Sequence, residues 1–276
     1  VGAVETSSLR TSDDAIILGN GTTAGAEAVS IGKNAGDSGD YSQAIGNNAG
    51  NTGQGVAAVA LGSQSGETSQ GDKAVAVGQY AGQTSQGSRA IGIGVDAGKT
   101  SQGADAVAIG NSTGSDTQGA SAVAVGPATG TLNQGASAVA IGFNAGVSSQ
   151  GARSVAIGEY AGQAAQAANS IVLNATGNVL NNTTASSLVV KPIRSAVGTT
   201  IMMYDASSGE ITHTASPVIT GDITGSVFGD DSTVLVDGIN NKIVGVVDTT
   251  SLRTSEFKIA LGHEAGQTNQ GNTTVA

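Results

Sequence analysis

Ala74-Val75-Ala76-Val77-Gly78-Gln79-Tyr80-Ala81-Gly82-Gln83-Thr84-Ser85-Gln86-Gly87-Ser88-Arg89 is one copy of a sentence that this chain repeats. The glycine closing its apolar run recurs as Gly46, Gly62, Gly78, Gly94, Gly110, Gly126, Gly142 and Gly158, always 16 residues apart. A second glycine follows four residues later, from Gly50 to Gly162. A third follows nine residues later, from Gly55 to Gly151, with Ala167 breaking that series. Before the third position stands a glutamine in all eight copies: Gln54, Gln70, Gln86, Gln102, Gln118, Gln134, Gln150 and Gln166. The consensus is A-V-A-I-G-x-x-A-G-x-T-S-Q-G-x-x. A fixed period of this length is the signature of a repeat architecture.

The chemistry inside the period says what each copy is. Alternation of period two in Ala-Val-Ala-Ile sends the β-branched residues to one face and the alanines to the other, which is a short strand. Three glycines per copy would cost a helix about 3 kcal/mol; they suit tight turns where φ is positive. The first glycine series ends in Asn174, and asparagine is the best non-glycine occupant of the left-handed region, so Asn174 is expected there. One short strand cannot bury its own apolar face, so copies must stack. The fold class is therefore all-β, a β-solenoid or β-roll of 16-residue coils rising by about 4.8 Å per coil. Equivalent residues then align in ladders: an aliphatic one (Val59, Val75, Ile91, Val107, Val123, Val139, Val155) and a polar one of glutamines. The glutamine amides can hydrogen-bond from coil to coil; the other reading of that ladder is a ligand surface. The alanine face is small and suits close approach of another backbone. Association of several chains along that face, three around one axis, is the expectation, with a wider single-chain solenoid as the alternative.

Composition agrees and excludes much else. Of 276 residues, 43 are glycine, none is cysteine or tryptophan, and only 12% are charged. No disulfide framework, thiol nucleophile or cysteine-ligated metal is available. His213 and His263 are the only histidines and are far apart in sequence, too few for a multi-histidine metal site. Glycine does not fall at every third position, which excludes collagen, and large side chains are too scarce for a conventional core. Eleven basic against 21 acidic residues leave a net charge of −10. That argues against nucleic acid and anionic membrane surfaces, and serves solubility. No run of 18 apolar residues can span a bilayer. The chain opens at Val1 without a methionine, as a fragment or processed product would.

The Ala-Val-Ala-Ile-Gly units resemble the head repeats of trimeric autotransporter adhesins, whose common period is close to the 14-residue step from Gly32 to Gly46. The 16-residue form with Ala-Gly-Gln-Thr-Ser-Gln-Gly is more similar to repeats in long fibre proteins of bacteriophages and algal viruses. The resemblance covers roughly residues 15–174 and resumes at 256–276. It implies parallel β-rolls in homotrimers.

The period stops near Ala175. Residues 1–14 read as the end of a connector, 15–174 as the solenoid, 175–246 as a β-rich connector and 247–276 as the start of the next module. Ser187–Val190 reads as a strand before Pro192. Thr200–Tyr204 and Glu210–His213 flank Asp205–Gly209 as a hairpin, and Gly221–Phe228 and Thr233–Val236 read as two more strands. Val1 to Gly19 aligns with Val244 to Gly262 at a constant offset of 243, with 12 of 19 positions identical. A module of about 243 residues thus starts over, and a longer parent with tandem modules is expected.

Candidate sites are sparse. Asp222, Asp230, Asp231 and Asp237 cluster in the connector, where turn carboxylates could hold Ca²⁺, but their spacing matches no calcium loop and solvated turns are the plainer reading. No serine elbow is paired with a histidine and an acid. Ala90-Ile91-Gly92-Ile93-Gly94 is one copy of the repeat and not a dinucleotide loop. Tyr80, Phe143 and Tyr160 occupy the variable pair after the first glycine, on a turn, as packing residues or as contacts for a glycan or receptor. No catalytic residue or cofactor is expected. The expected function is that of a non-enzymatic structural protein, the shaft of an extracellular or viral tail fibre, located outside the cell or on the virion. The alternative is an adhesin whose solenoid surface binds glycans. The variable pairs (Asn47-Asn48, Gln79-Tyr80, Pro127-Ala128, Glu159-Tyr160) favour the shaft, since a repeated binding face would keep them alike.

Overall fold

Each copy of the motif makes one turn of a stacked coil. Val75–Val77 runs parallel to Val59–Leu61 on one side and to Ile91–Ile93 on the other, with Val59, Val75 and Ile91 in register. The computed structural model describes residues 9–12, 15–36, 39–194, 201–214, 226–228, 234–237 and 242–243. Val1–Ser195 and Ala196–Ala276 form two separate units.

In the first unit a sheet of thirteen strands carries the stack. Its first strand, Leu9–Ser12, is antiparallel to Ala15–Leu18; every later pairing in it is parallel. The step between coils is 13 residues from Ile16 to Val29, 14 from Ile31 to Ile45, 16 from Gln43 to Val59, and still 16 from Val155 to Ile171. A second, four-stranded parallel sheet comes from the Thr-Ser-Gln part of the motif: Thr52–Gln54, Thr68–Gln70, Thr84–Gln86 and Thr100–Gln102. Single bridges, Gln102 to Gln118 and Gln118 to Gln134, continue that line. The 13- and 14-residue coils lack the residues that form this second sheet. No helix occurs among the described residues.

The repeat glycines serve two different needs. Gly78 and Gly82 take φ of 127° and 52°, which L side chains resist. Gly71, in the third series, has no positive φ; it is glycine because an added Cβ would lie 2.4 Å from the Ser88 nitrogen of the next coil. Close approach of backbones, not turn geometry, fixes the third series. Asn174 also departs from expectation. It is not left-handed but closes the strand Ile171–Asn174, paired with Lys191. Its amide donates to the carbonyls of Glu159 and Asn178, 2.7 Å each, and its Oδ1 accepts from the Thr176 hydroxyl at 2.7 Å. Asparagine stands there for its side-chain bonds in a wider turn, not for its tolerance of positive φ.

The two faces of the strand are used in the opposite sense to the association expected. Ala74, Ala76 and Ala81 are fully buried within their own coil, with Gln86 beside them at 2% exposure. The alanine face is the interior of one chain and is not available to another. Val and Ile point outward, half-buried or exposed. The reason is volume. A 16-residue coil that bends at so many positions encloses only a slot, and three small side chains plus one amide fill it; Val or Ile inward would overpack it.

The stack also runs past the end of the 16-residue pattern. Leu188–Lys191 adds in parallel to Ile171–Asn174 at a 17-residue step. Leu180 and Asn182 are buried in this last coil, and the Ala167 amide donates to the Asn182 carbonyl as Gly151 does to Gln166. The boundary read at 174/175 therefore falls inside the stack.

In the second unit, Ile201–Tyr204 and Ile211–Thr214 form an antiparallel hairpin. Ser226–Phe228, Val234–Asp237 and Lys242–Ile243 form an antiparallel sheet with an irregularity between Val227 and Phe228.

Candidate functional site

Three features run along the solenoid: an internal glutamine ladder, an external aliphatic face and the corners between them.

The glutamines extend the second sheet inward. From Gln70 to Gln150 each Nε2 donates to the strand carbonyl across its own coil, as Gln118 does to Val107 O at 2.8 Å, and to the next glutamine. The chain of amides runs from Gln70 through Gln86, Gln102, Gln118, Gln134 and Gln150 to Gln166, at 3.0–3.3 Å per link. Aligned amides in a dry slot polarise one another. Because these side chains are 4% exposed or less, no ligand can reach them, and the ligand-surface reading of the ladder is excluded. Gln54 donates to Gln43 O at 3.0 Å but makes no link to Gln70, and the Oε1 atoms of Gln54 and Gln70 are unpartnered. The ladder thus begins at Gln70.

The outward face of the large sheet carries two parallel columns. One is Ile16, Val29, Gln43, Val59, Val75, Ile91, Val107, Val123, Val139, Val155, Ile171 and Leu188. The other is Leu18, Ile31, Ile45, Leu61, Val77, Ile93, Ile109, Val125, Ile141, Ile157, Leu173 and Val190. The strand registers align them. Ile109 is 38% and Ile141 is 40% exposed. Twelve strands at about 4.8 Å make the face about 50 Å tall and about 12 Å wide, roughly 600 Å². That lies at the upper end of the patches a monomer ordinarily exposes, about 300–600 Å². The sequence identified these residues but not their exposure. The signal was the second glycine series: an added Cβ at Gly82 would lie 2.7 Å from the Gln86 amide that fills the interior, so no room remains there for Val.

At the corners, Tyr80 and Tyr160 sit on turns in the left-handed conformation, φ 60° and 55°. Phe143 and Tyr160 stack edge to face across adjacent coils with centroids 5.6 Å apart, and Phe143 is exposed. Tyr80 instead meets Lys99, whose ammonium lies 4.9 Å from its ring centre and also pairs with Asp96 at 2.9 Å. The three aromatics do not form one site. At another corner Arg89 grips Asp105 of the next coil through two bonds of 2.6 and 2.7 Å. The hydrogen bond holds the Asp105 carboxyl below, and the Arg89 guanidinium above, its ordinary range.

In the second unit Asp205 Oδ1 accepts from the Ser207 hydroxyl and amide at 2.7 Å each, and from the Ser208 amide at 3.4 Å. The Ser207 hydroxyl and these amides pull its pKa from 3.8 to about 2. Asp222, Asp230, Asp231 and His263 lie outside the described residues. Asp237 ends the strand Val234–Asp237 and His213 lies in Ile211–Thr214, opposite Met202; their side chains also lie outside the description. Among the described residues no group of three His, Cys, Asp or Glu could hold a metal ion, and no helix is long and apolar enough to cross a membrane. Compared with family models, curated proteins and solved structures, the chain matches none.

Proposed function

We propose that this chain is a module of a fibre shaft, a non-enzymatic structural protein that works outside the cell or on a virion, and that three copies associate in parallel along their Val/Ile faces. The observation that carries the proposal is the aliphatic face of roughly 600 Å², interrupted only by Gln43, on a stack whose interior is already complete. With some flanking contact it approaches the roughly 800 Å² per partner of a stable interface. A flat, β-branched sheet face left in water is an aggregation hazard unless covered; a second copy, presenting the same two columns, covers it with like chemistry. The resemblance of the repeats to trimeric adhesin heads and viral fibres supports three chains and an extracellular or virion setting. The 243-residue offset supports tandem modules along the shaft.

The test is the native mass of the full chain by sedimentation equilibrium, with electron microscopy of negatively stained particles. A mass about three times 26.6 kDa and rods with the solenoid's height are expected, and Ile109→Asp with Ile141→Asp should return the chain to a folded monomer. A wild type that is monomeric at tens of micromolar refutes the proposal.

One observation favours a second reading, an adhesin: the Phe143–Tyr160 pair, with Phe143 exposed and Tyr160 half-buried, is of the kind that stacks on sugar rings. A glycan array showing binding that Phe143→Ala abolishes would select it.

A further inference from the structure

We propose that Gln43 sets the axial register in which copies of this chain associate. This rests on the self-association proposed above and names the residue that makes it specific.

The need for such a residue follows from the geometry. The two aliphatic columns repeat with every coil, so a partner displaced by one coil, about 4.8 Å, meets the same contour and loses only one coil of contact. An antiparallel partner also finds Val and Ile throughout. Aliphatic packing alone therefore specifies neither the register nor the polarity of the assembly. Of the 24 outward positions in the two columns, Gln43 alone is polar. It is exposed and lies between Val29 and Val59 in its column. It occupies the third of the twelve parallel strands, so its position is asymmetric along the stack.

A primary amide is both donor and acceptor, so amides meeting across a seam satisfy one another. In the matched parallel register, Gln43 of each copy faces Gln43 of its neighbours. Displaced by one coil, it faces Val29 or Val59. In a fully overlapped antiparallel pair it faces the strand Val155–Ile157. Each of these alternatives buries an amide without a partner, which biases the equilibrium about tenfold or more toward the matched register for every mispaired amide. A single polar residue at a core position of a coiled coil acts in the same way.

The test uses the full chain, which has no cysteine of its own. Chains carrying Val123→Cys and chains carrying Val139→Cys are refolded together, oxidised, and their cross-links counted by mass spectrometry, with native mass measured in parallel. The two positions face outward on adjacent coils, and a disulfide demands Cα atoms within about 7 Å. With Gln43 present, like-to-like cross-links should exceed mixed ones by at least about tenfold. In Gln43→Val the oligomer should persist while mixed cross-links rise toward parity, and Gln43→Asn should retain much of the preference. An oligomer that forms no cross-links, whose cross-links remain like-to-like in Gln43→Val, or whose cross-links are already mixed in the wild type, overturns the role of Gln43 and leaves self-association standing. A monomeric wild type without cross-links overturns self-association itself, and the register role with it.

Discussion

Replacing Gln118 by Leu, a side chain of similar volume, tests whether the glutamine ladder holds the stack together. Four bonds disappear at once, the longest of them the 3.5 Å contact with Ala122 O. Gln134 Oε1 loses its donor at 3.0 Å and has no other partner. Val107 O loses its cross-coil bond at 2.8 Å, and Gln102 Nε2 loses an acceptor but keeps Ile91 O at 2.8 Å. A buried acceptor left without a partner costs about 1–3 kcal/mol and a lost neutral bond about 1 kcal/mol, so the change should cost roughly 2–4 kcal/mol. For a unit of this size that is a fall in Tm of roughly 5–15 °C. Because a solenoid's stability is a sum of coil and interface contributions, the loss should be local. Amide exchange should accelerate in the coils on either side of Gln118 before it does so at the ends. Gln54→Leu is the internal control. It removes one bond, to Gln43 O, and an Oε1 that has no partner already, so it should cost about 1 kcal/mol or less. Thermal and urea melts followed by circular dichroism measure both. Equal losses for the two variants, or a Gln118→Leu variant within about 0.5 kcal/mol of wild type, would refute the ladder as a stabilising element.

Gly71→Ala should prevent regular stacking, since its Cβ would meet backbone of the next coil at 2.4–2.7 Å; a Tm within about 2 °C of wild type would count against close approach as the reason for the third glycine series. Ala108→Leu places a large side chain in a fully buried slot and should destabilise by at least about 1–3 kcal/mol, whereas Val107→Leu, on the outward face, should leave the single-chain fold intact; chemical denaturation separates the two. Arg89→Ala should leave the melting temperature at neutral pH unchanged within error, because both partners of the Arg89–Asp105 pair are exposed. Asp205, with its folded pKa lowered from 3.8 to about 2, stabilises its turn fully above the ordinary carboxylate range and loses that contribution as pH falls toward 2. Carboxyl NMR titration should show its midpoint near 2, and Ser207→Ala should move it upward.

The architecture was legible because the repeat is written with residues that permit little else. Sixteen-residue spacing, a strand of alternating Ala and Val, and glycines forbidding a helix led directly to stacked parallel coils, and the hairpin around Asp205–Gly209 was marked by its turn residues. Individual positions were less legible. The general tolerance of asparagine for positive φ points Asn174 to a left-handed turn, but its side chain bonds to Glu159, Asn178 and Thr176, atoms that only the fold brings near. Leu188–Lys191 continues the ladder without matching the motif, because strand pairing uses backbone groups that any sequence carries.

The sequence by itself determined the period, the strand, the alignment of like residues into ladders and the absence of room for a large core. Only the tertiary structure decided which face is inside. Alternation separates Ala from Val but assigns neither to the interior, because that depends on how closely the two walls of a coil approach. Here the walls are close enough that alanines and glutamine amides fill the gap. Hydrophobicity alone would have placed Val and Ile inside; packing volume places them outside, where the next chain is proposed to sit.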